Sequence, residues 1–154
     1  MAVNPIPDGY QAVTPYLIVS GAARALDFYK QIFGATETMR LAGPNGIAHS
    51  EFRIGQSVVM LADESPDMGY KGPVALGGSP VSLMLYVADV DATFRRALAA
   101  GAVQQRPVQD QFYGDRSGTL EDPFGHIWTV ATHIEDVAPD EIDRRLAAMK
   151  DVPG

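Results

Sequence analysis

The same order of predicted elements occurs twice along this 154-residue chain, and the repeat restricts the fold more than any other feature. Each half has a strand, an amphipathic helix ending at a glycine, and three further strands. The halves also match in residues: 13–19 (VTPYLIV) resembles 81–87 (VSLMLYV), and Gly34-Ala35 corresponds to Gly101-Ala102. A repeat of this length is too long for a solenoid, so it predicts two βαβββ modules in an α+β fold.

Periodicity and turn residues set the expected bounds of the elements. The first module is predicted to contain strand 12–19, helix 22–33 and strands 37–41, 47–54 and 57–62. The second is predicted to contain strand 81–87, helix 90–99 and strands 103–108, 117–121 and 127–132. Pro15 and Pro107 favour edge or irregular positions for their strands, because proline cannot donate to a ladder.

The chain is predicted to form a single domain with four parts: module one at 10–63, a linker at 64–80, module two at 81–133 and a C-terminal helical tail at 134–154. The linker region is rich in glycine and proline, and long loops of this kind are often lids or connectors between modules. In the tail, Ile142, Leu146 and Met149 form one apolar helix face, which requires a surface on which to pack.

Composition excludes several classes of function. The chain has no cysteine, which removes disulfides, thiolate nucleophiles and cysteine-ligated metals. The net charge of −7, without a basic patch, argues against a nucleic acid or an anionic membrane as partner. No apolar run has the length of a membrane span, and the first residues show no export signal, so we expect a cytoplasmic protein.

A turn and strand near the end of module two carry a family resemblance. The run GDRSGTLEDPFGHIW spans residues 114–128, where Pro123 fixes φ and Gly125 can adopt the positive φ of a tight reversal. Together with the repeat, this run resembles the vicinal oxygen chelate superfamily of glyoxalase I, extradiol dioxygenases, and bleomycin- and fosfomycin-resistance proteins. The run is most similar to the PhnB-like branch, and the resemblance covers about residues 12–133.

The resemblance implies where a metal would be held. Glyoxalase-type members place two ligands in each module, early in the first strand and within the fourth strand. Carried onto this chain, the four positions are Thr14, Met60, Ser82 and Thr129. Hydroxyl and thioether groups are poor replacements for the imidazoles and carboxylates that bind such divalent ions. We therefore expect no metal site of the family type and no cofactor.

His49 and Glu51 are the best polar candidates for a site. They alternate on one predicted strand, so both project from the same face, with Arg53 beyond them. One interpretation is an acid–base or hydrogen-bonding pair at the rim of a cavity. The other, slightly favoured, is a solvated face opposite the apolar residues of that strand.

Other polar residues have two interpretations each. Asp115 and Arg116 either clamp a ligand or form an ion pair that pins the loop to a neighbouring strand. His126 and His133 are expected to be surface residues, and their spacing does not resemble a zinc site. The full predicted ligand-binding set combines the implied metal positions with neighbouring aromatic, methionine and polar residues: Thr14, Tyr16, Met60, Ser82, Met84, Tyr86, Tyr113, Asp115, Arg116 and Thr129.

These observations favour a metal-free small-molecule-binding protein with a largely apolar cavity between paired modules, acting as a homodimer. Two alternatives stay open. One is an enzyme of the lyase, isomerase or dioxygenase type that uses a non-standard site around His49 and Glu51 or a metal bound elsewhere. The other is a structural or regulatory module whose cavity is filled by side chains.

Overall fold

The structure is a computed structural model that describes residues 2–150. Contacts among these residues divide the chain into two compact units. The first unit consists of residues 2–81 and 122–126, and the second of residues 82–121 and 127–150.

The first unit contains one four-stranded sheet and one long helix. Its elements are β1 (Tyr16–Val19), α1 (Ala22–Phe33), β2 (Thr36–Gly43), β3 (Gly46–Ile54), β4 (Ser57–Asp63), a 3₁₀ turn (Pro66–Met68) and the one-turn helix α2 (Pro73–Leu76). The strand order is β1-β4-β3-β2, with β1 parallel to β4 and the other pairs antiparallel. The βαβββ order predicted for the first half is confirmed.

Helix α1 covers one face of this sheet. The residues of its predicted apolar stripe are all buried, and Tyr29 stacks on Phe52 of β3 with ring centroids 5.2 Å apart. The helix ends at Gly34, whose left-handed conformation (φ 71°) suits a glycine cap. Because strand side chains alternate, residues next to Phe52 in sequence project from the opposite face of the sheet.

The second unit repeats this arrangement and adds a helix. Its elements are β5 (Ser82–Tyr86), α3 (Val90–Ala99), β6 (Val103–Asp110), β7 (Asp115–Glu121), β8 (Ile127–His133) and α4 (Pro139–Lys150). The strand order is β5-β8-β7-β6, and β5 runs parallel to β8. The predicted α+β class, with two βαβββ modules and a C-terminal helix, is therefore confirmed.

The core of the second unit lies between α3 and its sheet. Phe94 and Ala97 of α3 are buried, as are Leu120, Trp128 and Val130 of the strands. Gly118 of β7 lies against α3, and a Cβ there would stand 2.9 Å from a ring carbon of Phe94. A glycine is therefore required where helix and strand approach most closely.

Helix α4 has no buried residue, and its predicted apolar face is partly exposed: the exposed fraction is 37% for Leu146 and 54% for Met149. Arg145 attaches the helix by donating to the Phe112 carbonyl oxygen (3.2 Å) and to Glu135 (2.7 Å). Among residues 2–150, no helix is long and apolar enough to cross a membrane.

Some predicted element bounds were wrong. Strand β1 begins at Tyr16 rather than at residue 12, so Thr14 precedes the strand, as expected if Pro15 interrupts the ladder. The linker contains a 3₁₀ turn and α2, both of which begin at prolines and end at glycines. These turns are too short to show a helical period in the sequence.

Candidate functional site

The face of the first sheet opposite α1 carries a row of functional side chains. Tyr16 of β1 pairs with Met60 of β4, Met60 with Glu51 of β3, and Glu51 with Met39 of β2. We call this surface the open face, because Tyr16 and Met39 are exposed. Tyr16 and Met60 both belong to the predicted ligand-binding set, and the strand pairing brings Glu51 into the same row.

A chain of hydrogen bonds crosses the open face. Tyr10, from the N-terminal segment, donates its hydroxyl to one carboxylate oxygen of Glu51. The other oxygen lies 2.7 Å from Nε2 of His49, and Nδ1 of His49 lies 2.8 Å from the Tyr16 hydroxyl. A carboxylate, an imidazole and a phenol are thus linked, and each of these groups can act as a general acid or base.

Glu51 is 5% exposed, so the interpretation of this strand face as solvated was wrong for the carboxylate. The hydrogen bond from Tyr10 is the largest factor that lowers the pKa of Glu51, followed by that from His49, and together they outweigh burial. The same bond raises the pKa of Tyr10. Burial first, then the nearby Tyr70 and Glu51, raises the pKa of Tyr16. Glu51 is therefore ionised and both phenols are neutral at physiological pH.

A pocket of about 240 Å³ lies beside Tyr16. It is formed by the β2–β3 turn, by the end of β4 and by the linker, through residues 43–48, 62–65, Met68 and Tyr70. Most of this lining is apolar or uncharged, which suits a small organic ligand. The linker was predicted to be a lid or a connector, and its proximity to the turn between β2 and β3 could not be predicted because it arises from the sheet pairing.

The implied metal positions do not provide a ligand set. The Thr14 hydroxyl donates to the Gln11 carbonyl oxygen (3.1 Å), and the Thr129 hydroxyl lies 2.9 Å from that of Thr119. Met60 offers a thioether, and Ser82 is exposed at the start of β5. Within the part of the chain that the structure describes, no three His, Asp or Glu side chains are grouped so as to hold a metal ion. The donor chemistry here does not fit a divalent metal of the family type.

The second unit has its own buried carboxylate. Asp115 is 3% exposed; it accepts a hydrogen bond from the Tyr86 hydroxyl (2.9 Å) and lies 2.7 Å from Nδ1 of His133. His133 also contacts Asp136, and these two carboxylates raise its pKa. His133 is exposed, as predicted for a surface residue, and it also joins the end of β8 to the following segment through Asp136.

Residues predicted for the site in the second unit divide between the two faces of its sheet. Met84 pairs with Thr129, and Tyr86, Asp115 and Thr129 share the face opposite α3. Arg116 projects from the other face, where its guanidinium donates to Asp91 of α3 (2.8 and 2.9 Å) and to Asp110 (3.0 Å). This ion pair joins β7 to α3 and to the end of β6, whereas the interpretation from sequence had an ion pair between the loop and a neighbouring strand. Tyr113 is exposed and packs edge-on against Phe112.

Two residues of the first unit were missed in the sequence. Tyr10 was placed at the start of module one without a role in the site, although the Asp8-Gly9 turn before it was a signal that the chain reverses there. His126, expected to be exposed in its turn, is half-buried and donates Nε2–H to the Ile18 carbonyl oxygen (3.0 Å). Both contacts join segments far apart in sequence, which local patterns do not reveal.

Comparisons with known proteins agree on the fold. The model of the Glyoxalase/Bleomycin resistance protein/Dioxygenase superfamily matches residues 10–130. An uncharacterised protein of Mycobacterium bovis is 44% identical over 155 residues, covering 98% of this chain and 99% of its own. The crystal structure of PA1353 from Pseudomonas aeruginosa is similar at a TM-score of 0.66 and 27% identity, covering 81% of this chain and 99% of that one. The PhnB protein of Bacillus cereus shares the fold at 19% identity and a TM-score of 0.63, covering 79% and 99%.

Proposed function

Because the chain belongs to the Glyoxalase/Bleomycin resistance protein/Dioxygenase superfamily, we propose that it is a PhnB-like protein that binds a small organic molecule without a metal ion. The observation that carries this proposal is the pocket beside Tyr16, which has a mainly apolar lining and one firmly oriented phenol. Such a combination of apolar walls and a few fixed polar groups is typical of ligand sites.

The residues at the implied metal positions support the metal-free part of this proposal. Thr14, Met60, Ser82 and Thr129 supply three hydroxyls and a thioether, which are weak ligands for a divalent ion. The run at 114–128 supports the PhnB-like assignment. We therefore expect neither hemithioacetal isomerisation nor ring-cleaving dioxygenation, since in the family both use the open coordination positions of a bound metal.

A thermal-shift screen of small molecules, run with and without a chelator, tests the binding function. A ligand present at a hundredfold excess over its Kd should raise the melting temperature by about 5–10 °C in a domain of this size. The shift should be the same with and without the chelator. A shift that requires an added divalent ion would contradict metal-free binding.

Two substitutions of alanine by tryptophan test where the ligand binds. Ala48 lines the pocket and is exposed, so Ala48→Trp should fill the pocket without disrupting the core. Ala23, exposed on α1, is the matched control. We expect Ala48→Trp to abolish the thermal shift and Ala23→Trp to keep it. Equal shifts in the two variants would place the ligand elsewhere.

A second candidate function is catalysis. The hydrogen-bonded side chains of Glu51, His49 and Tyr16 favour it, because they could act together as a general acid–base system. In that case, conversion of a bound ligand should be lost in His49→Gln while binding is retained. Product analysis of each thermal-shift hit by mass spectrometry distinguishes the enzyme from a pure binder.

A further inference from the structure

We propose that the pocket of the first unit takes an apolar small molecule that carries a hydrogen-bond donor, either a hydroxyl or an ammonium group, and that Tyr16 accepts this hydrogen bond. The inference rests on the proposed binding function and names the class of ligand. It follows from the direction of the hydrogen bonds on the open face and from the charges around the pocket.

The direction of the hydrogen bonds is set by Glu51. An ionised carboxylate can only accept hydrogen bonds, so Nε2 of His49, 2.7 Å away, must carry the proton that it donates to Glu51. In the neutral imidazole, Nδ1 is then an acceptor. The Tyr16 hydroxyl, 2.8 Å from Nδ1, therefore donates its proton to His49.

The consequence is that Tyr16 offers an acceptor to the pocket. Its only hydroxyl proton is committed to His49, and the oxygen lone pairs are left for a ligand. Tyr16 is 47% exposed and lines the pocket together with Tyr70, whose phenol is close enough to contribute to the raised pKa of Tyr16. The oxygen of Tyr16 is thus accessible at the wall where a ligand would lie.

The charges around the pocket favour the same ligands. Among the residues that the structure describes, no Lys, Arg or His lines it, whereas Asp63 and Glu64 do. A carboxylate or phosphate in the pocket would have no cationic partner among these lining residues, whereas an ammonium group would lie near the negative charges of Asp63 and Glu64. The remaining polar side chains, Asn45, Ser65 and Tyr70, can donate or accept and so do not select either kind of ligand.

Five compounds with the same ring test the proposal: toluene, benzyl alcohol, benzylammonium, benzaldehyde and benzoate. Binding is measured at pH 8 by NMR titration of the backbone amides of Gly46 and Ala48, which line the pocket. A net hydrogen bond corresponds to a factor of about three to ten in affinity. We expect benzyl alcohol and benzylammonium to bind tighter than benzaldehyde by that factor, and benzoate to bind most weakly.

Two variants connect the selectivity to Tyr16. Tyr16→Phe should remove the advantage of benzyl alcohol over benzaldehyde while leaving the affinity for toluene unchanged. His49→Ala should free the Tyr16 proton, so that benzaldehyde gains affinity and the advantage shrinks. Thr36→Val removes an exposed hydroxyl that does not line the pocket; it is the control and should match the wild type.

The outcomes separate this inference from the function on which it rests. Three results would refute the proposed class of ligand while leaving the proposed binding site intact. They are equal affinities for all five compounds, tighter binding of benzaldehyde or benzoate, and selectivity that persists in Tyr16→Phe. If none of the compounds, including toluene, perturbs the amides of Gly46 and Ala48, the proposed binding function fails, and the ligand class fails with it.

Discussion

The buried carboxylate of Glu51 depends on a residue from a distant part of the chain. Alternation along β3 was sufficient to predict that His49 and Glu51 share a face. It could not predict Tyr10, because the path of the N-terminal segment is set by tertiary contacts. One of these is the side chain of Gln11, which donates to the Val58 carbonyl oxygen at 2.7 Å.

Tyr10→Phe tests the contribution of this hydrogen bond. A carboxyl group whose pKa is lower in the folded chain stabilises the fold above its unfolded pKa near 4.5, and it loses that contribution as the pH falls through the folded pKa. We expect Tyr10→Phe to lower the free energy of unfolding at pH 7, because the ionised Glu51 would lose a hydrogen-bond donor. The difference from wild type should shrink below pH 4.5, as measured by denaturant unfolding. Tyr113→Phe should show neither effect, and a difference independent of pH would contradict the role of Glu51.

His133 should affect stability in the opposite pH range. Asp115 and Asp136 raise its pKa above the ordinary 6.5, so it stabilises the fold fully below pH 6.5 and loses this contribution as the pH rises through the folded pKa. We expect the melting temperature of His133→Gln to fall below that of wild type at pH 6, with a smaller gap at pH 9. Thermal unfolding across this range checks the prediction, and a constant gap would show that the charge has no role.

Among the secondary-structure elements, helix α1 has an N-terminal cap that is supplied by a side chain of strand β4. Its own N-cap is Gly21, which has no side chain, and Asp63 at the end of β4 accepts the N–H groups of Gly21 and Ala22 at 2.9 Å each. The second carboxylate oxygen accepts from Ile47 N–H at 2.8 Å. Thr132 of β8 has the corresponding role for α3 and accepts from Val90 N–H. The repeat thus preserves the position of the cap while changing its chemistry.

Asp63→Ala should therefore destabilise the first unit strongly. Three backbone N–H groups would lose their acceptor, and a negative charge would be lost at the start of a helix, for a cost of about 2–3 kcal/mol. Asp67→Ala, in the exposed 3₁₀ turn, is the control and should change stability by less than about 0.5 kcal/mol. Denaturant unfolding of both variants is the measurement, and equal effects would refute the capping role.

At the scale of the whole molecule, the prediction of a homodimer concerns α4. Leu146 and Met149 are exposed on a helix attached mainly through Arg145. We expect a second copy of the chain to cover this face, so the mass in solution should be twice 16.5 kDa at micromolar concentration. Truncation after His133 should reduce that mass to one chain or lower the melting temperature.

A double variant separates the apolar face from the rest of the tail. Leu146→Asp with Met149→Asp should weaken the dimer, whereas Ala148→Asp, on the opposite side of the helix, should not. Light scattering measures the mass of each protein. A mass of one chain for the full-length protein would refute the dimer. If the truncated form keeps the assembly and the melting temperature of the full-length protein, the tail has no role in the dimer.

Local sequence patterns were sufficient to predict the two βαβββ modules and the bounds of α1 and α3, because hydrophobic period, glycine caps and turn residues act over a few neighbouring residues. They were also sufficient to place His49 and Glu51 on one face. Three contacts were visible only in the folded chain: Tyr10 with Glu51, Asp63 with the start of α1, and the β2–β3 turn with the linker beside Tyr16. These contacts join residues far apart in sequence, and strand pairing and chain path set their geometry. The pocket and the polarity of its hydrogen bonds are therefore properties of the folded chain rather than of any local pattern.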